Sequence, residues 1–267
     1  MAYEDYEIPE ITTCIYYYEK ELSYNIGECS FKEFCEKFWE LLVYDDYSDV
    51  TNIVIGKDRL VNGISEGYTV KFNKKQISSL DLKSFIYELA SDDGISYITF
   101  IHKEHREEKW DITWAKDHQV GEGRRVSDYT FNHFSITHTY DFLESYEKQI
   151  KYINLFCGLC DLFSAFYGNI SDLDSSIELL DRTKDTVFNE SYLQTIYWGN
   201  YLGPKYCKQF GQERLEQIEC YEKRKTEKGF YFALSDNMLD ELKGCDFRQR
   251  KRILKKLTKK NWFHRQK

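Results

Sequence analysis

Tyr197-Trp198-Gly199-Asn200-Tyr201-Leu202-Gly203-Pro204 is the stretch from which the fold is read. It gathers three large aromatics, an amide, two glycines and one of the chain's two prolines. Glycine reaches backbone angles that other residues resist, and proline fixes φ and removes a donor, so Gly203-Pro204 reads as a forced turn after an aromatic segment. Lys205 to Phe210 then reads as a short helix, with Pro204 at its first turn and Gly211 as its stop. The order is strand or loop, turn, short helix, stop. The stretch holds no nucleophile beside a base and no cluster of metal ligands, so its rings and turn residues make it a structural pin between the elements on either side.

Upstream of the pin lies the longest helical pattern in the chain. Asp141 with Glu144 has the spacing of a capping box, and Phe142, Leu143, Tyr146, Ile150, Ile153, Phe156, Leu159, Leu162, Phe163 and Phe166 continue at helical intervals. The pattern predicts a central buried helix over 141–166 that ends at Tyr167-Gly168-Asn169, a glycine exit. Downstream, Leu215 to Tyr221 with Gly229 to Leu234 predicts a last antiparallel hairpin, and Ile253, Leu254, Leu257, Trp262 and Phe263 mark the apolar side of a basic helix.

The first half alternates the two element types. Ile11 to Tyr18, Val50 to Ile55, Tyr68 to Phe72, Ile95 to Ile101, Trp110 to Trp114 and Tyr129 to Tyr140 are β-branched or aromatic and predict strands, the fourth and fifth forming a hairpin. Ser30 to Leu42 and Leu80 to Ala90 predict helices from three- and four-residue apolar spacing. The expected architecture is α+β: a mainly antiparallel sheet packed on two or three helices. Residues 1–247 form one domain in this reading, and residues 248–267 form a basic helical tail docked on it.

Composition sets the partners. The chain has 37 Lys and Arg against 45 Asp and Glu, and no acid follows Asp246. Setting aside the ten bases after it leaves 27 bases for the body, a net of −18 against those 45 acids. An acidic body points to a basic partner, and the acidic aromatic loops at Asp45, Asp46, Asp49 and at Glu107, Glu108 are the expected contact residues. The basic tail offers the alternative of a nucleic-acid-associated regulator. The acidic start of the chain, with no apolar run, predicts a cytoplasmic protein, and none of the eight cysteines is expected in a disulfide.

No catalytic constellation emerges. Cys157 and Cys160 have the gap of a zinc half-site or redox pair but sit in an apolar helix with no second pair, so they read as buried and inert. His102 and His105 are spaced by two residues in a polar turn, and His133 and His138 fall on opposite faces of one strand. Gly121 to Arg125 lacks the spacing of a dinucleotide loop. No enzyme activity, metal or cofactor is expected.

Trp198, Asn200, Tyr201, Gly203 and Pro204, followed by Gly211 and Arg214-Leu215, resemble the tryptophan, asparagine-tyrosine, glycine-proline pattern of the immunity protein 52 family of bacterial polymorphic toxin systems. The likeness covers residues 140–240, with Leu202 standing where the pattern has phenylalanine and the basic tail as an addition. It implies a cytoplasmic antitoxin that binds a secreted toxin domain, often a nuclease, and blocks it without catalysis.

Overall fold

The computed structural model describes residues 10–17, 50–61, 64–73, 95–102, 108–115, 132–139, 145–172, 193, 195–243 and 247–258. Ten strands form one sheet among these residues, and every pairing is antiparallel. They are β1 (Glu10–Tyr17), β2 (Val50–Val61), β3 (Ile64–Asn73), β4 (Ile95–His102), β5 (Glu108–Ala115), β6 (Asn132–Thr139), β7 (Tyr167–Asp172), β8 (Gly199–Leu202), β9 (Glu222–Lys225) and β10 (Phe230–Ala233). The order across the sheet is β3-β2-β4-β5-β6-β1-β7-β8-β10-β9. The first strand therefore sits in the middle, pairing β6 on one side and β7 on the other. The expected α+β class and antiparallel sheet are what the chain adopts.

Four α-helices are described: α1 (Tyr146–Leu162), α2 (Pro204–Phe210), α3 (Gln212–Glu216) and α4 (Phe247–Thr258). Helix α1 covers one face of the sheet. Phe156 meets Tyr231 of β10 with ring centroids 6.0 Å apart, and Phe163 meets Tyr17 of β1 at 4.7 Å. The hydroxyls of Thr13 and Tyr152 share a hydrogen bond at 2.5 Å. The opposite face is a separate apolar layer. There Tyr16, Tyr167, Leu202, Phe230 and Phe232 pack with Tyr206, Phe210, Leu215, Ile253 and Leu257 from α2, α3 and α4. Strand alternation accounts for the division, since Tyr16 and Tyr17, or Tyr231 and Phe232, must point to opposite faces.

Several expectations change on the structure. The long helix is not central, because the sheet is; α1 lies on one face of it and leaves Tyr146 and Ile150 exposed. It also ends before the expected glycine exit. Ser164 takes positive φ at 49°, its N–H donates to Asp161 O at 3.2 Å, and Ala165 N–H donates to Cys160 O at 2.8 Å. That is the two-bond helix exit that glycine usually provides. Tyr167-Gly168-Asn169 is then free to be strand β7, and Gly168 is required there because a Cβ would lie 2.8 Å from Cys160 Sγ and 3.0 Å from the Phe156 ring.

The predicted strand at Leu215 to Tyr221 is not one. Leu215 belongs to α3 and Ile218 is buried beside it, so their apolar character serves the second core layer. The last hairpin pairs Phe230–Ala233 with the wholly charged Glu222–Lys225. Strands β2 and β3 run further than expected, in register from Asn52 with Asn73 to Val61 with Ile64. Pairing with a neighbour sustains such extension where composition does not. The helices expected at 30–42 and 80–90, the glycine turn at 121–125, His105, Trp262 and Phe263 lie outside the described residues.

Candidate partner-binding surface

The pin occupies the joint between the sheet and both helical layers. Trp198 is 1% exposed, donates from Nε1 to Ser235 Oγ at 2.9 Å, and accepts Leu234 N–H on its carbonyl at 2.9 Å. Asn200 is fully buried and bonded on three sides. Its Oδ1 accepts from Tyr197 N at 3.0 Å and Tyr167 Oη at 3.3 Å, and its Nδ2 donates to Tyr197 O at 2.8 Å. A buried amide satisfied this way fixes one backbone path before β8. Gly203 donates to Phe166 O at 3.0 Å, and Pro204 opens α2 at the first helical position, where its missing N–H costs nothing. Gly211 closes α2 with φ at 80°.

Tyr201 reaches the other layer. Its hydroxyl donates to Asp161 Oδ1 at 2.8 Å, and the same carboxylate accepts Thr226 Oγ1 at 2.8 Å and the N–H groups of Glu227 and Lys228, each at 3.0 Å. Burial raises the Tyr201 phenol above its ordinary range, reinforced by Cys160 and Asp161 nearby, so it stays a donor. One carboxylate at the end of α1 thus gathers β8 and the turn between β9 and β10. Removing it by Asp161→Ala should cost about 2–3 kcal/mol, since four charge-assisted bonds to the end of α1 are lost together. Urea unfolding should show the lower midpoint, and limited proteolysis should show faster cleavage in the 226–229 turn.

The cysteine pair is held as thiols. Burial pushes Cys157 up to about 12, opposed by Arg224, whose Nη2 donates to the sulfur at 3.4 Å, and Cys160 is also raised by burial. A thiolate nucleophile needs the opposite shift. Among the described residues none of the five cysteines is in a disulfide, no group of three or more His, Cys, Asp or Glu residues is placed to hold a metal, and no helix is long and apolar enough to cross a membrane. His133 and His138 both lie on β6.

Of the acidic residues expected at a partner, Asp45, Asp46, Asp49 and Glu107 lie outside the described residues. Glu108 opens β5, paired by its backbone with Ile101. What sequence reasoning missed is the seam between α1 and β9. Arg224 of β9 donates to Asn154 Oδ1 of α1 at 2.9 Å and lies 5.3 Å from the Tyr231 ring centre. Neither Asn154 nor a run of four charged residues signals that contact in sequence.

Helix α4 contributes a second surface. Ile253 and Leu257 are buried, while Arg248, Lys251, Arg252 and Lys255 are exposed on the opposite side. Lys256 pairs with Glu219 at 2.6 Å and, by that hydrogen bond, holds the Glu219 carboxyl below its ordinary range. Arg214 donates to Leu257 O at 3.5 Å.

No family model matches the chain, and no curated protein matches it. Among solved structures, the Pseudomonas aeruginosa T6SS protein PA0821 is similar, with a TM-score of 0.54 at 10% sequence identity over 86% of this chain and 67% of that one. At that identity the likeness is one of fold.

Proposed function

We propose that this chain is a non-catalytic immunity protein that binds and neutralises a secreted bacterial toxin domain, a basic nuclease in the reading its charge favours, inside the cytoplasm. The observation that carries the proposal is the resemblance of the Trp198-to-Pro204 stretch to the pattern of the immunity protein 52 family, set here in an α+β fold similar to that of a T6SS protein. The charge supports it. A body of net −18 attracts a nuclease's cationic cleft, and steering of this kind raises association rates by about 10–10³-fold. The test is co-expression with the toxin domain encoded beside this gene. Growth should be restored and a one-to-one complex should form with nanomolar affinity. Arrested growth together with no complex at micromolar concentrations overturns the reading.

The alternative is a nucleic-acid-associated regulator acting through α4, whose exposed bases at 248, 251, 252 and 255 form one stripe at helical spacing. Truncating the tail would remove Ile253 and Leu257 from the core, so charge reversal is the cleaner probe. On this reading Lys251→Glu with Lys255→Glu abolishes salt-sensitive retention on DNA or RNA; on the immunity reading toxin neutralisation is unchanged.

A further inference from the structure

Strand β9 ends the sheet, with β10 on one side and no strand on the other among the described residues. In an antiparallel pair only alternate residues turn their backbone groups toward the neighbour. The phase is fixed at the turn, where Thr226 N–H donates to Gly229 O at 3.0 Å; in register with it, Arg224 opposite Tyr231 and Glu222 opposite Ala233 are the bonded pairs. On the far side of β10, Leu234 N–H donates to Trp198 O at 2.9 Å, as that phase requires. Lys223 and Lys225 therefore direct their N–H and C=O groups outward. Such a row is a template for one more strand.

The edge is anchored and its charge has a sign. Lys223 and Lys225 stand opposite Phe232 and Phe230, so their side chains lie on the sheet face that α2, α3 and α4 cover. Both are exposed. Lys223 Nζ donates to Glu216 O and, at 3.0 Å, to Ile218 O, which positions the ammonium without neutralising it. Lys225 makes no ion pair among the described residues. On the other face Glu222 pairs with Arg224 at 3.8 Å, and Arg224 donates to Asn154 of α1 at 2.9 Å, so that face is neutral and held. Three bases against one acid give the strand a net charge of +2, and Glu227 with Lys228 in the turn leave it there. Pairing β9 with β9 of a second copy would bring two such edges together, and a basic strand would be repelled in the same way. An extended strand with acids at every second position satisfies the outward backbone groups and sets its carboxylates beside the two lysines.

We propose that the outer edge of β9 binds an extended acidic segment of another protein, which adds to the sheet as a further strand through the backbone groups of Lys223 and Lys225. This goes beyond the immunity reading and does not rest on it: a basic toxin surface is repelled here, so neutralisation should survive the substitutions below. The probe is a decapeptide of alternating threonine and glutamate, with the threonine-lysine peptide as control, followed by amide hydrogen exchange of the full chain in NMR spectra. Without peptide the N–H groups of Lys223 and Lys225 should exchange freely while those of Glu222 and Arg224 are protected. The acidic peptide should slow exchange at Lys223 and Lys225, and the basic one should not. Lys225→Pro removes an outward N–H and no bond to β10, and should raise the Kd of the acidic peptide about tenfold, the worth of one net hydrogen bond. Lys225→Glu keeps the N–H and should weaken binding several-fold at low salt and much less at high salt. Equal slowing by both peptides, or by neither at millimolar concentration, overturns the proposal. So does binding that both substitutions leave unchanged. Self-association of the parent in sedimentation that Lys225→Pro abolishes also overturns it, because the edge then serves a second copy.

Discussion

Replacing Gly203 with alanine is expected to destabilise the fold by about 4 kcal/mol, combining overpacking with a broken backbone bond. The cause is contact, not torsion. Gly203 has φ −71° and ψ 179°, angles that alanine adopts freely. An added Cβ, however, would stand 2.2 Å from Ala165 O, 2.8 Å from Phe166 Cα and 2.9 Å from Phe166 O. All three are backbone atoms at the entry to β7, and none can rotate aside. To make room the chain must pull Gly203 away from Phe166, losing the 3.0 Å bond between them, and the start of α2 would move with it. Guanidinium unfolding followed by circular dichroism measures the loss. Gly199→Ala is the control: the three atoms nearest its Cβ would all belong to the Ile170 side chain, at 3.1–3.2 Å, so a shift of a few tenths of an ångström and no backbone break is needed. That variant should lose about 1 kcal/mol. Equal losses in the two would show that backbone contact is not what makes Gly203 indispensable.

Trp198→Ala should cost about 3–5 kcal/mol, as large-to-small changes of buried aromatics do. Trp198 is among the largest fully buried side chains, and truncation leaves a cavity that the Leu234 N–H bond to its carbonyl keeps the backbone from closing. The indole N–H is a smaller part of the cost, because Ser235 Oγ also donates to Asn237 O at 3.1 Å and keeps a partner. Trp198→Phe should therefore recover more than half of the loss. Against a total stability of about 5–15 kcal/mol, the alanine variant should lose folding before it selectively loses a partner. A Trp198→Ala protein that melts like the parent yet has lost all toxin binding would place the tryptophan in the interface instead.

The two variants probe one object. Gly203 fastens β8 to the start of β7, Trp198 fastens it to the end of β10, and Asn200 between them holds the backbone path. Legibility in sequence followed the range of the interaction that decides each element. Pro204 at the first helical position and Gly211 at φ 80° are local chemistry, and the strand, turn, helix and stop around them were readable from composition. The hairpin of β4 and β5 was readable for the same reason, because its partners are neighbours in the chain. The exit of α1 was not, since Ser164 takes the conformation where a glycine was sought. Nor was β9, whose four charged residues are extended only because β10 pairs with them at the sheet edge.

The candidate site divides the same way. Sequence placed the expected contacts in acidic loops because charge is visible residue by residue. The α1–β9 seam needed the fold: Asn154 and Arg224 come together only when α1 crosses the sheet and β9 closes its edge. By itself the sequence determined the α+β class, the acid body with its basic end, and the turn-helix chemistry from Gly203 to Gly211, because propensity, charge and capping act within a few residues. Only the tertiary structure decided that the sheet rather than the long helix is central, that Leu215 and Ile218 fill a second core layer, and that one face of α1 stays bare, because burial is settled by which faces meet.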